Sequence, residues 1–312
     1  MRIRPVRKVV AFLDDIYPPG LQGASLFSVI QFFFRGIFGS RFNMYAAALS
    51  FNFFLAIFPA IIFIFTIIAY VPYKNLNKEI LDTLDFFLPD DALKIVKNAI
   101  RDILSKQRGG LLSFGFISAL YFASNGFFSM MLAFDHSLED EVKKKRNFFH
   151  KRARSITLTF MVSSMMLAAI TVSILSSYLS SLVMKAKWVN RHWIQFGVNS
   201  MEFITLSALV FFIMSTLYYY GPSNKNKWKF FSPGAIVSTV LSLASTYVFS
   251  SYVNNFHSYN KLYGSIGAII VLMLLIYFNV LCILVGFELN RSIDTVVRIT
   301  QKNRKKENRF LG

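Results

Sequence analysis

Six residues could carry chemistry, because each places a polar group or a backbone break inside a long apolar segment. They are Asn52, Pro59, Asn125, Glu202, Asn279 and Glu288. A charge at the centre of a membrane helix costs about 2.5–3.5 kcal/mol, so such groups usually face a cavity or the interior of a helix bundle. Proline removes a backbone hydrogen bond and kinks the helix unless neighbours satisfy the freed carbonyl. These residues therefore predict a polar cleft or a substrate path within the membrane.

Three of these candidates also have a purely structural explanation. Asn52 and Asn125 could form hydrogen bonds between helices instead of contacting a ligand. Glu288 lies at the end of its apolar segment, where it could pair with Arg152, Arg154 or Arg291. The sequence leaves both explanations open for each residue.

Groups suited to hydrolytic chemistry are sparse. Metal-dependent nucleases need clustered His, Asp or Glu side chains. The four histidines are isolated, and they fall on opposite sides of the predicted membrane: His136 and His150 on one side, His192 and His257 on the other. The single cysteine, Cys282, allows no disulfide within the chain and no cysteine metal site, and no phosphate-binding loop of the G-x-x-x-x-G-K-[ST] type occurs. We expect no enzyme, no catalytic residue, no metal and no cofactor.

The composition is that of a membrane protein. Hydrophobic residues make up 54% of the chain and charged residues 16%, against roughly 25% charged residues in soluble domains. Residues 266–287 are uncharged, and a helix of that length crosses a hydrocarbon core of about 30 Å. We predict an all-α, polytopic domain over residues 44–290 with six spans, at about 44–71, 111–134, 156–184, 196–220, 232–253 and 263–289.

Three further segments accompany these spans. Residues 1–43 form an N-terminal segment, in which residues 25–38 predict a helix in the membrane interface or, alternatively, an extension of the first span. Residues 72–110 carry apolar side chains at helical spacing, which predicts an extracytoplasmic amphipathic helical hairpin between the first two spans or, alternatively, a solvated connector. Residues 291–312 are a basic tail that we expect to be disordered beyond Thr300.

The distribution of basic residues predicts the orientation. Of the 34 Lys and Arg residues, 23 lie on the side that holds both termini and 11 on the other side. Loops rich in Lys and Arg stay in the cytoplasm, so we expect both termini to be cytoplasmic. The net charge of +18 then indicates contact with anionic lipid headgroups, and we expect no nucleic acid partner.

Several stretches together resemble the YihY/BrkB family of bacterial inner-membrane proteins. They are AAALSFNFFLAIFPAI at 46–61, WKFFSPGAIVST at 228–239, SSYVNNFHSYNKLYGSIGAIIVLMLLIY at 250–277 and GFELNR at 286–291. The residues that carry the resemblance most specifically are Tyr259, Tyr263, Gly264, Ser265, Gly267, Glu288 and Asn290. The resemblance implies a six-helix bundle in the bacterial inner membrane with both termini cytoplasmic. It also brings an old label, ribonuclease BN, and associations with virulence and with movement of lipid precursors, but no established site residue.

Two functional hypotheses follow. The first is translocation of a lipid or other amphiphile through a cleft near Asn52, Asn125 and Glu288. The second is a non-transporting scaffold or envelope-integrity protein, which would have envelope proteins as partners in addition to membrane lipids. An open, polar cleft that reaches past the middle of the membrane would favour the first, and a packed core with Asn52 and Asn125 paired would favour the second.

Overall fold

The computed structural model describes residues 16, 18, 21–39, 41–68, 109–138, 146–184, 191–224, 228–255 and 257–310. Within these ranges the chain forms seven helices and no strand. The helices are α1 (Leu26–Ile37), α2 (Phe42–Ile68), α3 (Gly109–Ser137), α4 (Phe148–Met184), α5 (Arg191–Tyr220), α6 (Pro233–Asn255) and α7 (His257–Phe310). Of the amphipathic hairpin expected over residues 72–110, residues 72–108 lie outside the described residues, and Gly109 and Gly110 begin α3.

Six of these helices, α2 to α7, are long and apolar enough to cross a membrane. The prediction of an all-α, polytopic fold with six spans is therefore confirmed. The physical basis is that a backbone in hydrocarbon must satisfy its own hydrogen bonds, which a helix does within one segment. The contacts between helices follow the chain, with each spanning helix packing on the next, and α7 packing back on α2. The six helices thus form a closed ring.

The last helix runs much further than the sequence predicts. α7 continues to Phe310, so the expectation of disorder beyond Thr300 is wrong. Residues 291–310 contain neither Gly nor Pro and are rich in Lys and Arg, which are good helix formers. A helix that begins in the membrane can therefore propagate through them without a new nucleation step.

The first helix is separate from the first span. Ser25 caps α1, and its hydroxyl accepts a hydrogen bond of 3.2 Å from the backbone N–H of Ser28. The helix ends at Ile37, and α2 begins only at Phe42. Val29 on α1 is buried against Ile293 and Val296 on the extension of α7. Of the two alternatives for residues 25–38, the structure has the independent helix, held by α7 rather than fused to α2.

The tightest core lies towards one end of the ring, which we call the basic end. The basic end comprises α1, the last turns of α3 and α5, the first turns of α4 and α6, and the part of α7 that follows residue 284. Phe134 and Phe287 stack there with ring centroids 4.0 Å apart, and Trp228 packs on Phe287 at 5.2 Å. The hydroxyl of Tyr218 donates a 2.7 Å hydrogen bond to the carbonyl of Ile283. The core therefore joins α3, α5, α7 and the segment that leads into α6 at this end.

Some basic side chains at this end satisfy backbone carbonyls instead of facing lipid. Arg146 donates to the carbonyls of Gly221 and Pro222 at 3.2 and 2.8 Å, and Arg154 donates to the carbonyl of Tyr220 at 3.2 Å. These carbonyls end α5, where cations are favoured by the helix dipole. Burial, and then the charge of Arg154, lower the pKa of Arg146, whereas Asp135 raises it.

Candidate functional site

A cleft of about 370 Å³ opens at the basic end between α1, α2, α3 and α7. We call it the Glu288 cleft. Its lining includes the side chains of Arg35, Arg41, Tyr45, His136, Ser137, Leu284, Phe287, Glu288 and Arg291. Leu284 and Phe287 belong to the packed core, so the inner wall of the cleft is apolar and its polar groups lie around Glu288.

Glu288 is the most buried charged group in the cleft, with 3% of its surface exposed. One carboxylate oxygen accepts a hydrogen bond from Arg291 at 2.8 Å, and the other accepts one from the hydroxyl of Ser137 at 2.9 Å. Arg291 also donates to Ser137 at 3.0 Å. The carboxylate therefore fixes the Arg291 side chain at the mouth of the cleft and ties α7 to α3.

Glycine at position 36 is required by this arrangement. A Cβ atom added there would collide with the carboxylate of Glu288. The close approach brings the last turn of α1 directly over the carboxylate, and it sets Arg35 at the rim. No sequence signal identified Gly36, because the contact joins residues that are far apart in the chain.

The cleft carries more positive than negative charge. Three arginines, Arg35, Arg41 and Arg291, face one carboxylate, which gives a net charge of +2 with His136 neutral. Arg35 and Arg41 are exposed and form no ion pair with any residue that the structure describes. A cation immediately before a helix, as Arg41 is before α2, is unfavourable to the helix dipole. Helix stability therefore does not explain Arg41, whereas an anion in the cleft would.

Arg291 has one buried donor without a partner in the described part of the chain. Its Nε atom is buried and has no hydrogen-bond partner among the described residues, although its Nη1 atom is fully engaged. A buried donor left unpaired costs about 1–3 kcal/mol, more for a charged group. An acceptor on a bound anion, or a water molecule, would remove that cost.

The two candidate asparagines lie elsewhere and contact each other. Asn125 donates a 3.4 Å hydrogen bond to the side-chain oxygen of Asn52, and Asn52 donates to the hydroxyl of Ser129 at 3.0 Å. Neither asparagine lines the Glu288 cleft. The structure therefore separates Asn52 and Asn125, which join α2 to α3, from Glu288.

The remaining candidates are also separate from the cleft. Glu202 on α5 accepts hydrogen bonds from Ser173 and Ser176 on α4, at 2.8 and 2.7 Å. Asn279 donates to the carbonyl of Leu275 in its own helix at 3.0 Å. Pro59 lies inside α2, which continues past it. These residues join neighbouring helices or bond within one, and they form no common site.

The residues that carry the family resemblance fall into two groups. Tyr259, Tyr263, Gly264, Ser265 and Gly267 lie in the first turns of α7, where the backbone is helical but the side chains are outside the described part. Glu288 and Asn290 lie at the basic end. Asn290 accepts a hydrogen bond from the N–H of Gly234 and donates one to the hydroxyl of Ser232, both at 2.9 Å. It thus completes the cap of α6.

We expect Asn290→Ala to lower the free energy of unfolding by about 2 kcal/mol, because it leaves the buried N–H of Gly234 without its acceptor and removes one of the two hydrogen bonds to the Ser232 hydroxyl. Thermal unfolding in detergent micelles measures the loss. The control is Asn279→Ala, which removes only a bond within its own helix and should cost about 0.5 kcal/mol. Equal effects of the two substitutions would mean that the cap is not what Asn290 contributes.

Two further structural groups were missed in the sequence. Ser232 caps α6 directly before Pro233, and its hydroxyl accepts from the N–H of Ala235 at 3.3 Å. This Ser-Pro pair is a recognisable helix-start signal. Asp135 accepts two 2.8 Å hydrogen bonds from Ser223 and pairs with Lys151 at 2.9 Å. The sequence feature that could have identified Asp135 is its position as an acid at the end of a span, next to a basic loop.

Comparison with known proteins places this architecture in a family. A sequence model of the family described as Virulence factor BrkB matches residues 33–309. A protein of Bacillus subtilis (strain 168) named YfkH and described as ribonuclease-like is 30% identical over 267 residues, which cover 83% of this chain and 92% of that protein.

Two relatives carry a purely structural name. UPF0761 membrane protein NTHI0384 of Haemophilus influenzae (strain 86-028NP) is 23% identical over 85% of this chain and 94% of its own length. UPF0761 membrane protein NT05HA_1801 of Aggregatibacter aphrophilus (strain NJ8700) is 23% identical over 82% of this chain and 90% of its own length. No solved structure matches the chain.

Proposed function

The chain belongs to the virulence factor BrkB family, and from that premise we propose that it binds and translocates an anionic amphiphile whose headgroup is held in the Glu288 cleft. The observation that carries the proposal is the excess of arginine over carboxylate in the cleft, together with the buried Nε of Arg291, which has no partner among the residues that the structure describes. Phosphate and carboxylate groups are the natural acceptors for several guanidinium donors.

The groups of the cleft would have distinct roles. Arg35 and Arg41 lie at the open rim, where they would attract the headgroup and donate hydrogen bonds to it. Arg291, held by Glu288 at 2.8 Å, would contact it from the inner side with the donor that is now unpaired. Phe42 and Tyr45 line the wall on α2 and would adjoin the first methylene groups of the chain. Glu288 would keep Arg291 in place when no headgroup is bound.

The proposal is tested by lipid movement in proteoliposomes, with a fluorescent phosphatidylglycerol whose exposure on the outer leaflet is measured by chemical quenching. We expect the double substitution Arg35→Gln and Arg41→Gln to slow movement about tenfold or more, because each lost charge-assisted hydrogen bond is worth about 1.5–3 kcal/mol. Fluorescent phosphatidylcholine, which carries no net charge, should respond less.

The matched control removes charge at the same end of the protein without touching the cleft. Arg304→Gln neutralises an exposed arginine on the extension of α7 and should leave the rate of the wild type unchanged. Equal slowing by Arg304→Gln would mean that general surface charge, and not the cleft, sets the rate. Movement of phosphatidylglycerol that is the same in all three proteins would contradict the proposal.

A second candidate is the non-transporting scaffold, and one observation favours it. Asn52 and Asn125 bond to each other at 3.4 Å, so these polar groups at membrane depth are used between helices. If wild-type protein moves no lipid under any ion gradient, the scaffold is the better function. In that case Asn52→Leu should lower the stability of the protein, because it removes the hydrogen bond to Asn125. Partner proteins of the scaffold would then be sought.

We do not propose ribonuclease activity for this chain, although YfkH is described as ribonuclease-like. Among the described residues no group of three or more His, Cys, Asp or Glu side chains could hold a metal ion. His136 belongs to the basic end, where its ring stacks on Tyr45 at 6.0 Å, whereas His192 and His257 are in the first turns of α5 and α7, at the other end.

The same proposal includes an orientation. We propose that the basic end faces the cytoplasm of a bacterial inner membrane, which places both termini there. The support is the excess of Lys and Arg in the segments at this end, 23 of the 34 in the chain. The Glu288 cleft would then receive the headgroups of the cytoplasmic leaflet.

A further inference from the structure

A second and larger cavity lies on a different face of α7, and it shares no lining residue with the Glu288 cleft. It is a groove of about 600 Å³ between the start of α6 and the extension of α7. We call it the Trp228 groove. Its lining includes Trp228, Lys229, Phe231, Pro233, Ile236, Ile293, Asp294, Val297 and Arg298.

Some polar groups in the groove are already paired, whereas the indole N–H of Trp228 and the amine of Lys229 have no partner among the residues that the structure describes. Asp294 pairs with Arg298 at 3.1 Å and accepts a hydrogen bond from Asn224 at 3.3 Å. The indole N–H of Trp228, by contrast, is buried without a partner in the described part of the chain. Lys229 is exposed and pairs with no described carboxylate. The groove thus offers one buried donor and one free positive charge, side by side in the chain.

The apolar side of the groove is open to lipid. Phe231 is 66% exposed and Ile236 is 55% exposed, and Ile236 belongs to the candidate span that begins at Pro233. Ile236 on this spanning helix, and Phe231 two residues before the helix begins, would both be covered by acyl chains in a bilayer. Tryptophan and lysine next to such a surface are typical of the level of the headgroups. The groove therefore joins the headgroup level to the hydrocarbon.

We propose that the Trp228 groove is a binding site for an anionic phospholipid, distinct from the site at Glu288. The phosphate accepts a hydrogen bond from the indole N–H of Trp228 and is neutralised by Lys229. One acyl chain lies along Phe231 and Ile236. The ion pair between Asp294 and Arg298 closes the side of the groove at the extension of α7.

The chemistry of the groove favours a lipid over a dissolved anion. A single unpaired cation holds a small anion weakly in water. An acyl chain adds burial of the exposed Phe231 and Ile236 surfaces, and a phospholipid is already concentrated at the membrane surface. The groove therefore fits a molecule that has both a phosphate and an apolar chain.

The experiment uses the fluorescence of Trp228 as a direct readout. The chain has three tryptophans, so Trp188→Phe and Trp193→Phe leave Trp228 as the only emitter. The full-length protein in detergent is titrated with phosphatidylglycerol or phosphatidylcholine brominated on the acyl chains, which quench a tryptophan that they contact. We expect phosphatidylglycerol to quench at about fivefold lower concentration, the preference that one lysine gives near an anionic surface.

Two variants decide whether the groove is responsible. Lys229→Gln should remove the preference for phosphatidylglycerol, and Lys306→Gln, an exposed lysine outside the groove, should retain it. Equal quenching by the two lipids in the parent protein, or a preference that survives Lys229→Gln, would overturn the proposal. Inorganic phosphate is the test of the apolar wall. If it shifts the emission of Trp228 as much as the lipid does, the apolar wall contributes nothing to binding and the assignment to a lipid is wrong.

Native mass spectrometry of the unsubstituted protein supplies a second measurement, in case the phenylalanine substitutions disturb folding. The wild type should retain phosphatidylglycerol more strongly than phosphatidylcholine, and Lys229→Gln should weaken that retention. Loss of lipid binding in the Trp228 groove can be told apart from loss of translocation through the Glu288 cleft. The double substitution Arg35→Gln and Arg41→Gln should slow lipid movement but leave the quenching of Trp228 unchanged.

Discussion

Asp135→Ala should be among the most destabilising single substitutions in this protein, with a loss of about 3–5 kcal/mol in the free energy of unfolding. Asp135 is 6% exposed, and it holds three groups at once. Its carboxylate accepts from the N–H and the hydroxyl of Ser223, each at 2.8 Å, and pairs with Lys151 at 2.9 Å. Its removal leaves a largely buried cation and a buried N–H without partners. The junctions of α3, α4 and α5 should loosen together.

Thermal unfolding in detergent measures this loss, and two variants separate its causes. Asp135→Asn keeps an oxygen for Ser223 but gives up the charge, so it should fall between wild type and Asp135→Ala. Asp294→Ala is the matched control, because it breaks a more exposed pair, with 29% of the Arg298 side chain and 18% of the Asp294 side chain accessible, and should cost about 1 kcal/mol or less. If the control costs as much as Asp135→Ala, burial is not the reason for the effect.

Gly286→Ala should cost about 3 kcal/mol, because a single methyl group would overfill the crossing of α6 and α7. A Cβ atom at Gly286 would collide with the carbonyl of Gly234 and would lie 2.6 Å from both the Cβ of Ser238 and the hydroxyl of Tyr218. Tyr218 and Ser238 donate to the carbonyls of Ile283 and Cys282, at 2.7 and 2.9 Å. Making room would therefore move α5 and α6 away from α7 and break these bonds.

The measurement is again the unfolding midpoint in detergent, with an expected drop of roughly 6 °C or more. Gly197→Ala is the control, because a Cβ atom at Gly197 in α5 would meet nothing within 4 Å, and alanine favours helix over glycine by about 1 kcal/mol. That variant should be as stable as the wild type or slightly more stable. A Gly286→Ala protein that unfolds at the temperature of the wild type would show that the two helices do not approach so closely.

The hydrogen bond between Asn52 and Asn125 illustrates why the functional site was harder to predict than the fold. Both residues were recognised as polar groups at membrane depth, which needs only the hydropathy of their surroundings. The two asparagines are 73 residues apart in the chain. Whether they face a ligand or each other depends on how α2 is rotated against α3. That rotation is set by packing, and single-helix patterns do not contain it. Gly115 is an example, because a Cβ atom added there would lie only 3.2 Å from the backbone of Phe63.

Glu288 is a residue for which part of the site could be predicted from the sequence. Its pairing with Arg291 is local, at a spacing of three residues on one helix, so the sequence could include Arg291 among three possible partners. The contacts of Ser137 and Gly36 with the same carboxylate come from α3 and α1, more than 150 residues away. The local half of the site was therefore accessible to sequence reasoning, and the half that makes it a cleft was not.

The sequence by itself determined the class of protein, the helical fold and the number of spans, because hydrocarbon imposes length, apolarity and internal hydrogen bonding on every segment separately. It also determined which end of each span is basic. Only the tertiary structure decided that Arg35, Arg41 and Arg291 share a cleft and that Arg146 and Arg154 cap α5 instead of facing lipid. It likewise decided that Trp228 keeps a buried N–H with no partner among the described residues. These outcomes depend on how helices rotate and cross, and close packing of small and aromatic residues across the ring fixes that geometry.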